Sequence, residues 1–353
     1  WDVFMDRNVF IVSAVRSAIG DFGGIFRTLA PIPLVAPVIK AAVERSGLPV
    51  EKIGKVILGN TLSPLNPNIA RGATITCGIP PEVPSFSIHC ACASALQALV
   101  SGTSALVMGE AETALVGGVE SMSNAPYILP SARWGQRLRH AQAIDQLWWG
   151  MQEDPIMGGM GLAADFLAKK YHISREEQDE LAALSHQRAL AAQSQGYFTD
   201  QIIPVEVKEG SKSRVAITDE HPRADATLDT FAKLPPAFSP EGTVTAGNAS
   251  SINDGAAAIV IATDEACKKY GLKPLAQVGP WSIKAVEPKI TGVAPVPAIR
   301  EVIRTADLNL SDIDLIEINE AFASYYLACE KELKLDRSRV NVNGSGISLG
   351  HPV

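Results

Sequence analysis

Short runs of apolar, β-branched residues alternate along this chain with longer runs whose apolar positions recur at helical spacing. "NVFIVSAV" (8–15) is of the first kind and predicts a buried strand. "IPLVAPVIKAAVERSG" predicts an amphipathic helix stopped by Gly47. "IGKVILGN" predicts a second strand. "PSFSIHCA" predicts a third, feeding the Ala-rich buried helix "CASALQALVSGTSALVMGE". "TALVGGVESMS" predicts another strand with a Gly turn. Strands alternating with helices in this way place the chain in the α/β class, with a largely parallel or mixed sheet.

The pattern changes after Ser121. Residues 121–249 carry Trp134, Trp148 and Trp149, most of the methionines, Pro-punctuated loops and one strong polar helix, "SREEQDELAALSHQRALAAQSQG". This stretch predicts an inserted loop, or cap, domain. "GTVTAGNASSINDGAAAIVIATDEACKKYG" then returns to a strand followed by a helix. "LAQVGPWSI", "DLIEINEAF" and "RVNVNGSGIS" repeat the order of the first half. "EKIGKVILGN" parallels "SDIDLIEIN", and "PSFSIHCACAS" parallels "SRVNVNGSGIS". The expected division is a first half of 1–120 plus 250–275, the insertion 121–249, and a second half of 276–353. Duplicated halves would set two strand-to-helix turns face to face. The alternative is that all buried strands look alike.

The bulk numbers narrow this picture. A chain of 353 residues with 46% hydrophobic and 20% charged content is ordinary globular material for two or three domains. No run of eighteen apolar residues occurs, so no membrane-spanning helix is expected. A net charge of −7 argues against nucleic acid or an acidic membrane as partner, and an anionic ligand would need a local basic patch. The five cysteines, at 77, 90, 92, 267 and 329, are odd in number and scattered. They argue against a disulfide scaffold and for a reducing compartment. No CxxC pair suggests a metal. The start, "WDVFMDR", has no signal-peptide core; a trimmed transit peptide, a tag scar and a native stub all fit it.

Four stretches could carry chemistry. In "IHCACASALQAL", Cys92 follows a strand and opens a helix. Free N–H groups and the helix dipole would lower its thiol pKa and favour a nucleophile. A core cysteine fits that stretch equally well, and Cys90 reads as packing or support. In "INEAF" (318–322), Asn319 and Glu320 end an apolar strand, where polar residues line a crevice or cap a helix. In "SLGHPV", His351 is either structural or a base able to take a thiol proton. "GTVTAGNASSINDGAAA" (242–258) offers N–H and hydroxyl donors, or is a plain loop with a cap.

Taken in order, Cys92-Ala-Ser94, "GTVTAGNAS", Asn319-Glu320-Ala321-Phe322 and Gly350-His351-Pro352 make the chain resemble the thiolase family. The resemblance runs from "NVFIVSAVRSAIGDFGG" to "GHP" and includes "ALVGGVESMSNAPY", "SARWG", "GYFTDQIIPVEV" and "EPKITGVAPVPAI". It implies two similar mixed-sheet halves in a layered α-β-α-β-α arrangement with an inserted loop domain, assembled as a homodimer or homotetramer. It implies Cys92 as the nucleophile that takes the acyl group, with its own N–H in one oxyanion hole. His351 would activate Cys92 and, with a water held by Asn319, form the other. Ser250 would contact the pantetheine arm of coenzyme A, and Arg223 its nucleotide end. Phe238 and Phe322 would line the pantetheine tunnel, and Met160 the acyl pocket. The implied reaction is thiolytic cleavage of a 3-ketoacyl-CoA to acetyl-CoA and a shortened acyl-CoA, reversible as a Claisen condensation. Coenzyme A is a substrate there, and no cofactor or metal is expected. A bacterial cytoplasm or a mitochondrial matrix would suit it.

Several departures from the family bear on this. Thiolases hold a further cysteine, the acid/base for the enolate, in a C-terminal CxG motif. None of the five cysteines here sits in such a context. The expectation is that the last few dozen residues of a full-length member are missing, and that a chain without them is inactive. His89 stands where the family often has Asn, and CASA carries Ala95 for the usual Gly. Gly159-Met160-Gly161 replaces the HMG of acetoacetyl-specific members, which favours a broader 3-ketoacyl-CoA thiolase over an acetoacetyl-CoA-specific acetyl-CoA acetyltransferase. A condensing enzyme acting on carrier-protein substrates would pair its cysteine with two histidines, against "INEAF". A non-catalytic thiolase-like protein that binds acyl-CoA or lipid is the remaining alternative.

Overall fold

A computed structural model describes residues 7–62, 66–138, 140–155 and 158–353. Strands β1 (Val9–Arg16) and β2 (Gly20–Asp21) precede helix α1 (Pro31–Ser46). Strand β3 (Val56–Gly59), helix α2 (Ile69–Thr76), strand β4 (Ser85–Ile88), helix α3 (Ser94–Val107) and strand β5 (Thr113–Ser121) follow. Next come two-stranded ribbons, β6 with β7 (Tyr127–Ile128, Ile144–Asp145) and β8 with β9 (Val205–Glu209, Lys212–Ala216). Around them lie helices α4 (Gln146–Trp148), α5 (Met160–Lys170), α6 (Arg175–Ser194) and α7 (Leu228–Phe231). The chain continues through β10 (Asn253–Thr263), α8 (Asp264–Tyr270), β11 (Ala276–Gln277), α9 (Pro295–Thr305), α10 (Ala323–Leu333) and α11 (Gly346–Leu349).

The main sheet has the order β11-β1-β10-β5-β3-β4, with β2 pairing β10. It is mixed: β10 runs antiparallel to β1 and β5, and β3 runs parallel to β5 and β4. Side chains alternate between its two faces. Leu58, Leu115 and Val260 pack with Leu34, Val38 and Ile39 of α1 on one face. Ile57, Val116 and Ile261 pack with Ala98 and Leu106 of α3 on the other. Helix α1 ends where the sequence predicts, on Gly47 in the left-handed conformation (φ 71°). The polar helix α6 starts on a capping box between Ser174 and Glu177.

A separate apolar cluster joins α5, α6 and α10 through Leu167, Leu181, Phe322, Tyr326 and Val340. Every residue from Ala323 to Cys329 is buried, so α10 runs through the interior. The second half departs from the strands expected of it. "LAQVGPWSI" contributes only Ala276–Gln277, and that strand adds to the first sheet beside β1. "DLIEINEAF" and "RVNVNGSGIS" meet at a single parallel bridge, Ile316 to Val340. That bridge runs in the same sense as β3 to β4, whose sequences it echoes. The physical reason is a lack of partners: backbone groups form a ladder only beside another strand. Among the described residues these runs gain only one further bridge to another segment, Phe322 to Ala249, rather than a ladder, and Trp281, Ile283 and Leu315 stay exposed.

Candidate active site

Cys92 sits in a tight turn between β4 and α3. The helix begins at Ser94, so Cys92 lies just outside it rather than opening it. The turn is locked by Ser94. Its hydroxyl accepts from the Cys90 N–H at 2.8 Å and donates to the Ala91 carbonyl at 2.6 Å. Ala91 holds a left-handed φ of 46° that a non-glycine residue adopts only under constraint. Below the turn, α3 rests directly on the sheet. A Cβ at Gly59 would come within 2.6 Å of the Ser94 backbone, and one at Gly118 within 2.9 Å of Ala95. The small residues after Cys92 therefore serve close approach of helix and sheet.

The electrostatic expectation for Cys92 is reversed. One side of the residue is open to solvent, yet protein crowds the rest. This desolvation pushes the thiol pKa up, and the residue's own N–H pulls it down only in part. A helix end can stabilise a thiolate only where the dipole outweighs burial; a turn outside the helix does not provide that. Cys92 is a thiol at rest, and a nucleophilic role would call for a base.

A candidate base stands on the second half. His351 follows α11 and Gly350, whose φ of 99° only glycine takes easily. Its Nε2 lies 3.1 Å from the Asn319 amide nitrogen. An amide nitrogen only donates, so Nε2 accepts and the ring proton sits on Nδ1. Burial lowers the His351 pKa to about 4, which keeps the ring neutral and its lone pair available near pH 7. The next residue, Pro352, lines the same cavity of about 200 Å3 as Cys92, together with Gly59, Gly118 and Glu120.

Asn319 is no helix cap, since α10 begins at Ala323 with Phe322 at its cap position. It is held by its neighbours instead. The Asn341 side chain accepts from Ile318 N at 2.9 Å and donates to Ile318 O at 2.7 Å and to Glu320 Oε1 at 3.0 Å. Ser185 donates to Glu320 Oε2 at 2.6 Å. Burial raises the Glu320 pKa.

The remaining candidates divide into two groups. Ser250 lies beside the Asn319 segment, donating its N–H to Ala321 O at 2.9 Å, and Ala249 bridges to Phe322. Phe238 and Phe322 meet edge to face at 6.1 Å, and Met160 packs against the same cluster. Arg223 is exposed and apart from that wall; its N–H donates to His186 Nδ1 at 3.1 Å. Sequence reasoning missed Tyr325, whose hydroxyl donates to Met160 O at 3.1 Å and whose ring stacks edge to face on Phe322. Burial first, and then the nearby Cys92, push its phenol pKa up. It also missed Asn341 and Asn253. The signal available for both was an asparagine in an otherwise apolar strand.

The thiolase N-terminal domain family matches residues 9–265, and the thiolase C-terminal domain family residues 272–353. The chain is 45% identical to beta-ketothiolase BktB of Cupriavidus necator, over 99% of this chain and 89% of that one. The acetyl-CoA acetyltransferase of Bacillus anthracis superposes with a TM-score of 0.96 at 48% identity, over 98% of this chain and 88% of the other. Human mitochondrial 3-ketoacyl-CoA thiolase in complex with CoA superposes with a TM-score of 0.93 at 42% identity, over 98% and 87%. Matches spanning both halves show that the chain belongs to the thiolase family.

Proposed function

We propose that the chain is an acyl-CoA C-acyltransferase that cleaves 3-ketoacyl-CoA, with Cys92 carrying the acyl group. The observation that supports this best is the neutral His351 ring, with its lone pair at Nε2 against Asn319, in the turn that shares a cavity with the Cys92 thiol. The Cys92 proton passes to His351 Nε2, and the sulfur attacks the 3-keto carbon. Once protonated, Nε2 no longer accepts from Asn319. Both groups are then donors aimed at one spot, where the carbonyl oxygen gathers negative charge, worth roughly 3 kcal/mol to the transition state. The C2–C3 bond breaks, its electron pair leaves as the enolate of acetyl-CoA, and the enolate takes up the proton that His351 Nε2 holds. The acyl group stays on sulfur until a coenzyme A thiol displaces it, and the thiol proton returns through His351.

In this reading coenzyme A is a substrate, no cofactor takes part, and residues 121–249 form the cap, since Met160 and Phe238 come from it. Ser250, Phe238 and Phe322 hold the pantetheine arm and Met160 faces the acyl chain. Exposed Arg223 meets the nucleotide phosphates, the local cation that an overall charge of −7 calls for. A homodimer or homotetramer is supported by the outer edge of β4, which ends the sheet beside exposed Phe86 and Leu96. No described helix is long and apolar enough to cross a membrane. Relatives from bacteria and from mitochondria leave a bacterial cytoplasm as our reading and the matrix as the alternative.

The test is intact mass after incubation with acetoacetyl-CoA. The expected result is an acetyl adduct, reduced at least about 1,000-fold in rate by Cys92→Ser. No adduct on the unaltered chain overturns acyl transfer and favours an acyl-CoA-binding role. A second reading, an acetoacetyl-CoA-specific acetyl-CoA acetyltransferase, is favoured by the Bacillus anthracis relative. Comparing kcat/KM for acetoacetyl-CoA and 3-ketohexanoyl-CoA separates the two.

A further inference from the structure

Asn253 opens β10 and is fully buried. Its side chain makes four hydrogen bonds. Oδ1 accepts from the His351 N–H at 2.8 Å and from the Ser251 hydroxyl at 2.6 Å. Nδ2 donates to Gly20 O at 3.1 Å and to Asp21 Oδ1 at 3.3 Å. Gly350 lies against the same amide, where a Cβ would come within 2.6 Å of Asn253. The amide thus touches both the glycine that turns the chain and the backbone of the histidine it delivers.

Asn253 is itself braced. Asp21 Oδ1 also takes His221 Nδ1 at 2.7 Å, and His221 is buried. The two residues before His221 grip the same loop. Glu220 accepts from Asp21 N at 2.9 Å and Ile25 N at 3.0 Å, and Asp219 accepts from Ile19 N at 2.8 Å. The brace therefore belongs to a second segment, two residues from Arg223, and the chain of bonds runs His221–Asp21–Asn253–His351.

We infer that Asn253, braced by the Asp21–His221 pair, is the positioning group that sets the His351 imidazole for proton transfer from Cys92. The inference rests on the role proposed above for His351. Proton transfer requires a heavy-atom separation of about 2.6–3.2 Å, so a small displacement of the 350–352 turn takes the ring out of reach. The bond from Asn253 reaches the His351 backbone, whereas the ring's partner, Asn319, comes from a different segment.

The experiment compares Asn253→Ala, Asp21→Ala and Asp21→Asn. Single-turnover acetylation of Cys92 by acetyl-CoA is measured alongside the Kd for coenzyme A. Asn253→Ala is expected to slow acetylation about 100-fold, and Asp21→Ala about 10-fold, with CoA affinity held within about 3-fold. Asp21→Asn still offers an oxygen to His221 and Asn253 and is expected to recover to within about 3-fold of the unaltered chain. Asp21→Ala acetylating at the unaltered rate, Asp21→Asn rescuing nothing, or affinity falling in step with rate would each overturn the inference. The Asp21 pair decides the matter if Asn253→Ala does not fold, because Asp21 is partly exposed and its loss leaves the sheet intact. Alkylation of Cys92 by iodoacetamide keeps the two proposals apart. If the unaltered chain forms no acetyl adduct, the acyl-transfer reading fails, yet alkylation must still slow in Asp21→Ala and recover in Asp21→Asn. Equal alkylation rates overturn the positioning role on their own.

Discussion

The proposed nucleophile and its proposed base are presented by two regions built on different principles. Cys92 is carried by a continuous mixed sheet, where strands pair backbone to backbone and apolar side chains fill both faces. Asn319 and His351 are carried by a region with single bridges in place of a ladder among the described residues. There, side chains do what strands do elsewhere. Asn341 takes both backbone groups of Ile318, as a neighbouring strand would, and Glu320 gathers Asn341 and Ser185. The first region tolerates no change of shape, because close packing is its support. The second tolerates no loss of a polar partner, because each leaves a buried group unsatisfied.

The contrast can be broken most strongly at Gly117. A Cβ there would stand 2.1 Å from the Ala257 carbonyl oxygen on the neighbouring strand. Gly117→Ala is expected to cost more than about 4 kcal/mol, read by denaturant unfolding, since two central strands must part. Asn341→Ala in the other region is expected to cost about 3 kcal/mol by the same measurement. Its acetylation of Cys92 should also fall about 10-fold or more as Asn319 loses its footing.

His186 sharpens the comparison through pH. Burial first, then His221 and Arg223, hold its pKa at about 4. The unfolded chain takes up that proton below the ordinary value of 6.5, so the native state loses stability as pH falls from about 6.5 towards 4. His186→Gln, which still offers an acceptor to Arg223 N, should remove about 2 kcal/mol of the difference in stability between pH 7 and pH 5. The smallest effect expected is from Ser185→Ala, about 1 kcal/mol, because Glu320 keeps its bond from Asn341. A loss at Ser185 as large as that at Asn341 would show that the network does not divide as described.

The layered half was legible because its pattern is redundant. Strand β1, helix α1 with its Gly47 stop, and strand β5 each announce themselves by periodicity and punctuation together. The motifs around Cys92, Asn319 and His351 were legible because polar residues interrupt apolar strands. The direction of the Cys92 pKa was not, since burial depends on what folds over the turn rather than on the turn itself. The second half's strands were overread for a related reason: an apolar run says it can pair, not that a partner lies beside it. Asn253 and Asn341 gave only a faint signal, an asparagine beside apolar residues, and the partners of Asn253 lie far along the chain.

That distance shapes how the protein comes into being. Asn253 meets His351 across 98 positions and Asp21 across 232, and Asp21 meets His221 across 200. Contacts so non-local close late, after the loops between them have been ordered. During synthesis and refolding the thiol of Cys92 therefore exists for a time without the His351 turn fixed beside it. A chain caught before those closures carries Cys92 as an ordinary thiol, free of the burial that raises its pKa in the fold and not yet beside the His351 turn.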